Sequence, residues 1–128
     1  MLSIERLARR YWDAEESRDV TAILSYFRPD AQWHGPGRDS VGHAEIRGFY
    51  DESVAGFPVL AVRITDAIGT DDRAAVQWCA ALTDTEGRFH QLHGVNIMEG
   101  TADQISFLRT YFDPSELDTV LDQPHAAH

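Results

Sequence analysis

The stretch Arg88 to Asp113, RFHQLHGVNIMEGTADQISFLRTYFD, constrains the fold more than any other part of this chain. Two runs rich in β-branched, aromatic and aliphatic residues flank the turn Glu99-Gly100-Thr101-Ala102-Asp103, which predicts a long antiparallel hairpin. Side chains alternate along a strand, so Ile105, Phe107, Arg109 and Tyr111 share one face of the second run. Ser106, Leu108, Thr110 and Phe112 share the other. Large apolar groups on both faces predict cover on both. In the first run His90, Leu92, Gly94 and Asn96 share a face. A polar Asn96 among apolar neighbours has two readings. Its side chain points into an enclosed space, or it bonds to local backbone at a strand end.

The rest of the chain supplies cover for such a sheet. Ile4, Leu7, Ala8, Tyr11 and Trp12 recur at three and four spacing, which predicts an amphipathic helix from Leu2 to Glu16. Asp19 suits the cap of a second helix, Val20 to Phe27, which Arg28-Pro29-Asp30 ends. A short strand, Ala31 to His34, and a loop, Gly35-Pro36-Gly37-Arg38-Asp39, lead into a third helix from Gly42 to Ala55 with Ile46, Phe49, Tyr50 and Val54 inward. Val59 to Ala67 and Arg73 to Thr83 alternate as strands, the second with Val76, Trp78, Ala80 and Leu82 on one face. Helices gathered ahead of a strand meander predict an α+β fold. Three helices of the N-terminal half on the concave side of a curved antiparallel sheet would form a cone-shaped cavity. We read residues 1–117 as one domain and 118–128 as a flexible tail, with one loose turn around Leu117, Val120 and Leu121.

Composition narrows the function class. The formal charge of −10 disfavours nucleic acid and anionic membrane as partners. The single cysteine, Cys79, permits no internal disulfide and suits packing. The N-terminus is charged from Glu5 and no apolar run approaches ~18 residues, so a cytoplasmic location is the expectation. His90 and His93 fall on opposite faces of one strand and no cluster has metal-ligand spacing, so neither a metal nor another cofactor is expected.

With that element order, the segments RRYWDAEESRDVTAILSYFRPDAQWHGP, VGHAEIRGFYDE and GVNIMEGTADQISFLRTYFDP resemble the nuclear transport factor 2-like superfamily, in particular ketosteroid isomerases and SnoaL-like cyclases. The resemblance implies the cystatin-like cone. In ketosteroid isomerases a helix-borne Tyr and an acid on the last hairpin form an oxyanion hole. Tyr11 and Asn96 fall at those positions, and Asn can donate as a neutral acid does. The family's general base, an Asp before Pro, is replaced by Gly35, so the neighbouring His34 is the expected proton carrier. At the acidic position of epoxide hydrolases and SnoaL-like cyclases this chain has Thr110. The set Tyr, His and Asn resembles that of scytalone dehydratase more closely.

The resulting expectation is a cofactor-free isomerase, cyclase or dehydratase acting on a mostly apolar, cyclic or polyketide-like carbonyl compound. Tyr11, His34 and Asn96 would be catalytic, and Trp33, Phe49, Phe57, Trp78, Leu108, Thr110 and Phe112 would line the substrate pocket. The rival is a module of the same fold that binds a small molecule or dimerises without catalysis. Convergence of Tyr11, His34 and Asn96 on one cavity favours the enzyme. An outward His34 together with a cone plugged by Trp78 or Phe112 favours the rival. The apolar residues Ile105, Phe107 and Tyr111 on the outer face of the last strand predict a homodimer.

Overall fold

In a computed structural model that describes residues 1–101 and 103–122, helices cover one face of a curved, unclosed sheet. Helix α1 (Ser3–Ser17) buries Ile4, Leu7, Ala8, Tyr11 and Trp12 along the stripe that their spacing predicts. No side chain of its own segment caps its start. Instead Asp71, from a distant strand turn, accepts the Ser3 and Ile4 N–H groups at 2.9 Å each, which satisfies two orphan donors across 68 residues of sequence. Helix α2 (Val20–Leu24) is capped by Asp19, whose side chain accepts the Ala22 N–H. It ends sooner than predicted. Phe27, read as the last inward residue of this helix, opens strand β1 (Phe27–Gly35) instead and is fully buried between Tyr11 and Tyr50.

The predicted loop after Gly35 is a hairpin. Gly37 takes a φ of +70°, which glycine adopts without penalty, and Arg38 to Val41 return as strand β2 (Arg38–Val41). Helix α3 (Gly42–Gly56) follows and buries Ile46 and Tyr50. Strands β3 (Val59–Gly69), β4 (Arg73–Thr83), β5 (Phe89–Thr101) and β6 (Gln104–Phe112) form the meander. The sheet order is β2-β1-β6-β5-β4-β3. Every pairing is antiparallel except β1 with β6, so the sheet is mixed where the sequence suggests an antiparallel one. The parallel contact is long-range, and no local turn signal announces it.

Two irregularities reposition side chains. A register shift between Ile64 and Asp66 brings Ala67 back to the packed face of β3. A second shift, in β6 opposite the step from Glu99 to Gly100, leaves Ser106 opposite no residue and turns Ile105 into the core. Ile105 therefore does not belong to the outer apolar patch expected from strict alternation. That face keeps Phe107 and an exposed Tyr111 beside Arg109. A short 3-10 turn (Pro114–Asp118) follows β6, and Leu121 donates its N–H to the Phe89 carbonyl at 2.8 Å, so the start of the expected flexible tail is tied to β5. Residues 123–128 of that tail lie outside the described residues. No helix among the described residues is long and apolar enough to cross a membrane.

Candidate functional site

The concave face of the sheet, α1 and α3 enclose a cavity of about 350 Å³. Its walls follow from strand alternation. Trp78, Ala80 and Leu82 of β4, Leu92 and Asn96 of β5, and Leu108, Thr110 and Phe112 of β6 all point to the same side. Trp33, Phe49 and Phe57 complete the apolar lining, so all seven residues expected in a pocket surround this one. Neither Trp78 nor Phe112 plugs it. Trp33 stacks on Phe49 with ring centroids 4.1 Å apart. At the rim Arg38 pairs with Glu52 and lies over the Phe49 ring.

Of the three groups expected to be catalytic, Tyr11 and Asn96 line the cavity and His34 does not. Alternation decides this. Trp33 sits beside Leu108 and points inward, so His34, beside Arg109, points to the outer face. There its ring contacts Phe107, its Nδ1 meets Asp39 at 2.6 Å and its Nε2 lies 3.3 Å from Gln32. The segment read as a loop after His34 is a strand hairpin, and its pairing holds the imidazole outward. Replacement by Ala is expected to leave ligand binding and turnover unchanged. It should shift stability by no more than about 1 kcal/mol, as for a surface ion pair, measurable by denaturant titration. Gly35, at the family's carboxylate position, has no room for a side chain. A Cβ there would lie 2.5 Å from the Trp33 ring.

A largely buried acid on the cavity lies elsewhere. Glu15, one helical turn beyond Tyr11, reaches the cavity. Burial pushes its carboxyl above the ordinary range, against hydrogen bonding from Tyr11 and the charge of Arg18. The Tyr11 hydroxyl also meets the Tyr50 hydroxyl in a short hydrogen bond, so two phenols and a carboxyl form a chain. Burial raises both phenols well above their usual pKa, so they stay neutral and donate. Arg18 is held by the Glu15 carbonyl and the Ser53 hydroxyl at 3.1 Å each, with its Nη1 3.8 Å from the Glu15 carboxylate. The sequence carried one signal for Glu15. Position 15 continues the buried stripe 4, 8, 11, but the polar run DAEES masks it.

Asn96 is buried, and its Oδ1 accepts the Trp78 indole N–H at 2.9 Å. Indole can only donate, so the amide orientation is fixed and Nδ2 is left as a donor. Of the two readings of Asn96, the enclosed side chain is the one observed. His93 is exposed and paired with Glu116, whereas His90 is buried on the concave face beside Asp84.

Comparison with known proteins places this architecture. A 1.30 Å crystal structure of a nuclear transport factor 2-like protein of unknown function from Burkholderia pseudomallei superposes with a TM-score of 0.79 at 19% identity, covering 96% of this chain and 100% of that one. TerC, co-crystallised with polyporic acid, gives 0.76 at 22% identity over 91% of this chain and 95% of that one. IdmH from Streptomyces antibioticus, described as a candidate polyketide cyclase, gives 0.73 at 20% identity over 88% and 93%. No curated protein matches significantly. The SnoaL-like domain model matches residues 8–119, nearly the whole of the cone, and the chain belongs to that family, with the fold of the nuclear transport factor 2-like structures.

Proposed function

We propose that this protein is a cofactor-free acid–base enzyme that isomerises, cyclises or dehydrates a mostly apolar, cyclic carbonyl compound of polyketide type. The observation that carries the reading is Glu15: a carboxyl inside an apolar cavity, with raised proton affinity and two phenols in line with it. A carboxylate with raised proton affinity is a stronger base towards a carbon-bound proton than an exposed one. The substrate's carbonyl oxygen accepts from Asn96 Nδ2. Glu15 removes a proton from the adjacent carbon, and the electron pair moves onto that oxygen. Oriented donors in a site sheltered from water favour such a charge. Glu15 then returns the proton to another atom, which completes an isomerisation, or passes it to a leaving hydroxyl. Tyr11, with Tyr50, holds the carboxyl rather than the substrate oxygen, and His34 takes no part. The neighbours TerC, co-crystallised with polyporic acid, and IdmH, described as a candidate polyketide cyclase, support the substrate class.

The test is hydrogen–deuterium exchange at the carbon next to the carbonyl of cyclic and bicyclic ketones, followed by NMR in D₂O. Exchange above the buffer rate is expected. Tight binding across the panel with no exchange would leave the non-catalytic binding module as the correct reading. The proposal includes a homodimer joined through the outer sheet face around Phe107 and Tyr111. Sedimentation at micromolar concentration should give twice the chain mass, and a monomer would remove that part.

A further inference from the structure

One buried polar atom on the concave face has no role in that chemistry. His90 Nε2 lies 2.9 Å from Asp84 Oδ2. Asp84 also accepts the Glu86 and Arg88 N–H groups on Oδ1, at 2.9 and 3.0 Å, and the Arg88 Nε on Oδ2 at 2.8 Å. Four donors converge on this carboxylate, so it remains ionised and can only accept. Nε2 therefore carries a hydrogen towards Asp84, and Nδ1 is the ring nitrogen left to meet a ligand. Nδ1 is buried without a partner among the described residues, and His90 as a whole is 5% exposed. A buried acceptor left open in an otherwise satisfied network needs an explanation.

Its position supplies one. His90 shares the concave face of β5 with Leu92 and Asn96, and its cross-strand partner is Leu82. Leu82, Leu92 and Asn96 all line the cavity. Phe57, also a wall residue, meets the imidazole edge-on with ring centroids 5.5 Å apart. Phe57 is half-buried at the end of α3, where the preceding Gly56 has open space around it. The imidazole is thus packed directly against a wall residue of the cavity.

We propose that His90, oriented by Asp84, is a recognition subsite for a hydroxyl at the far end of the ligand, a phenol or enol O–H that donates to Nδ1. This rests on the cavity being the ligand site, and it narrows the substrate class to hydroxylated aromatic or enolic ring systems. It does not depend on turnover.

The probes are 2-naphthol and 2-methoxynaphthalene, which share a ring system and differ in the donor. Fluorescence of Trp12, Trp33 and Trp78, all in the cavity wall, reports binding. Wild type should bind the naphthol about 10-fold more tightly or better, as for one hydrogen bond to a charge-supported group. His90→Phe keeps a flat ring without the acceptor, and should remove the preference while leaving the methoxy compound's affinity unchanged. Because Asp84 loses a donor in that variant, a second measurement uses unaltered protein. With ¹⁵N-labelled histidine, the His90 Nδ1 resonance should move on adding 2-naphthol and stay in place with 2-methoxynaphthalene. Equal affinities in wild type, a preference that survives His90→Phe, or an unmoved Nδ1 signal with naphthol bound would each overturn the subsite. Absence of ketone exchange alongside an intact naphthol preference would remove only the catalytic reading.

Discussion

Glu15→Gln should lower kcat/KM for proton exchange by about 10²–10⁴-fold, the share a positioned acid or base usually contributes. Gln keeps the size and the hydrogen-bonding reach of Glu but cannot take the proton. The loss should fall on kcat, because the interaction is made as the proton moves, while KM changes little. In wild type, burial raises the carboxyl's pKa, so the base is ready only above that raised value. The rate should therefore fall as pH drops through a pKa higher than that of an exposed Glu, and Glu15→Gln should abolish this acid limb. Stability moves the other way. A carboxyl whose pKa is raised by folding stabilises the fold fully below its unfolded pKa. That contribution is lost as pH rises through the folded value. Glu15→Gln should therefore flatten the fall in melting temperature that wild type shows as pH rises through the folded value, checked by calorimetry. An equally active variant would move the proton to another group.

Asn96→Ala is the second large effect. Removing one oriented donor from a developing oxyanion costs about 10²–10³-fold in kcat. The same substitution leaves the Trp78 indole N–H, almost fully buried, without its acceptor. That costs about 1–3 kcal/mol of folding stability. The two losses separate in Asn96→Asp. Its carboxylate still accepts from the indole and so keeps much of the stability, but it carries no amide donor and, when ionised, repels the oxyanion. Kinetics with a ketone substrate and a urea titration on both variants would test this. Full activity in Asn96→Ala would show that Nδ2 is not the donor.

Local pattern was enough for much of this protein. Alternation in 73–83 and 89–96 set the concave face, because each strand is regular there and covered on the inside. The helical stripe 4, 7, 8, 11, 12 was legible because it combines large apolar residues with the right period. The aromatic lining and Asn96 therefore came out of the sequence in place. Four features did not, and each depends on contacts between distant segments. His34 faces outward because β1 pairs in parallel with β6 and its hairpin with β2 locks the alternation, neither of which is encoded nearby. Ile105 is in the core because a bulge opposite Gly100 reverses the face, and one extra residue leaves no periodic trace. Glu15 and the Nδ1 of His90 became candidates only through burial. A carboxylate or imidazole acquires unusual chemistry when the tertiary structure removes its water, and no residue letter records that.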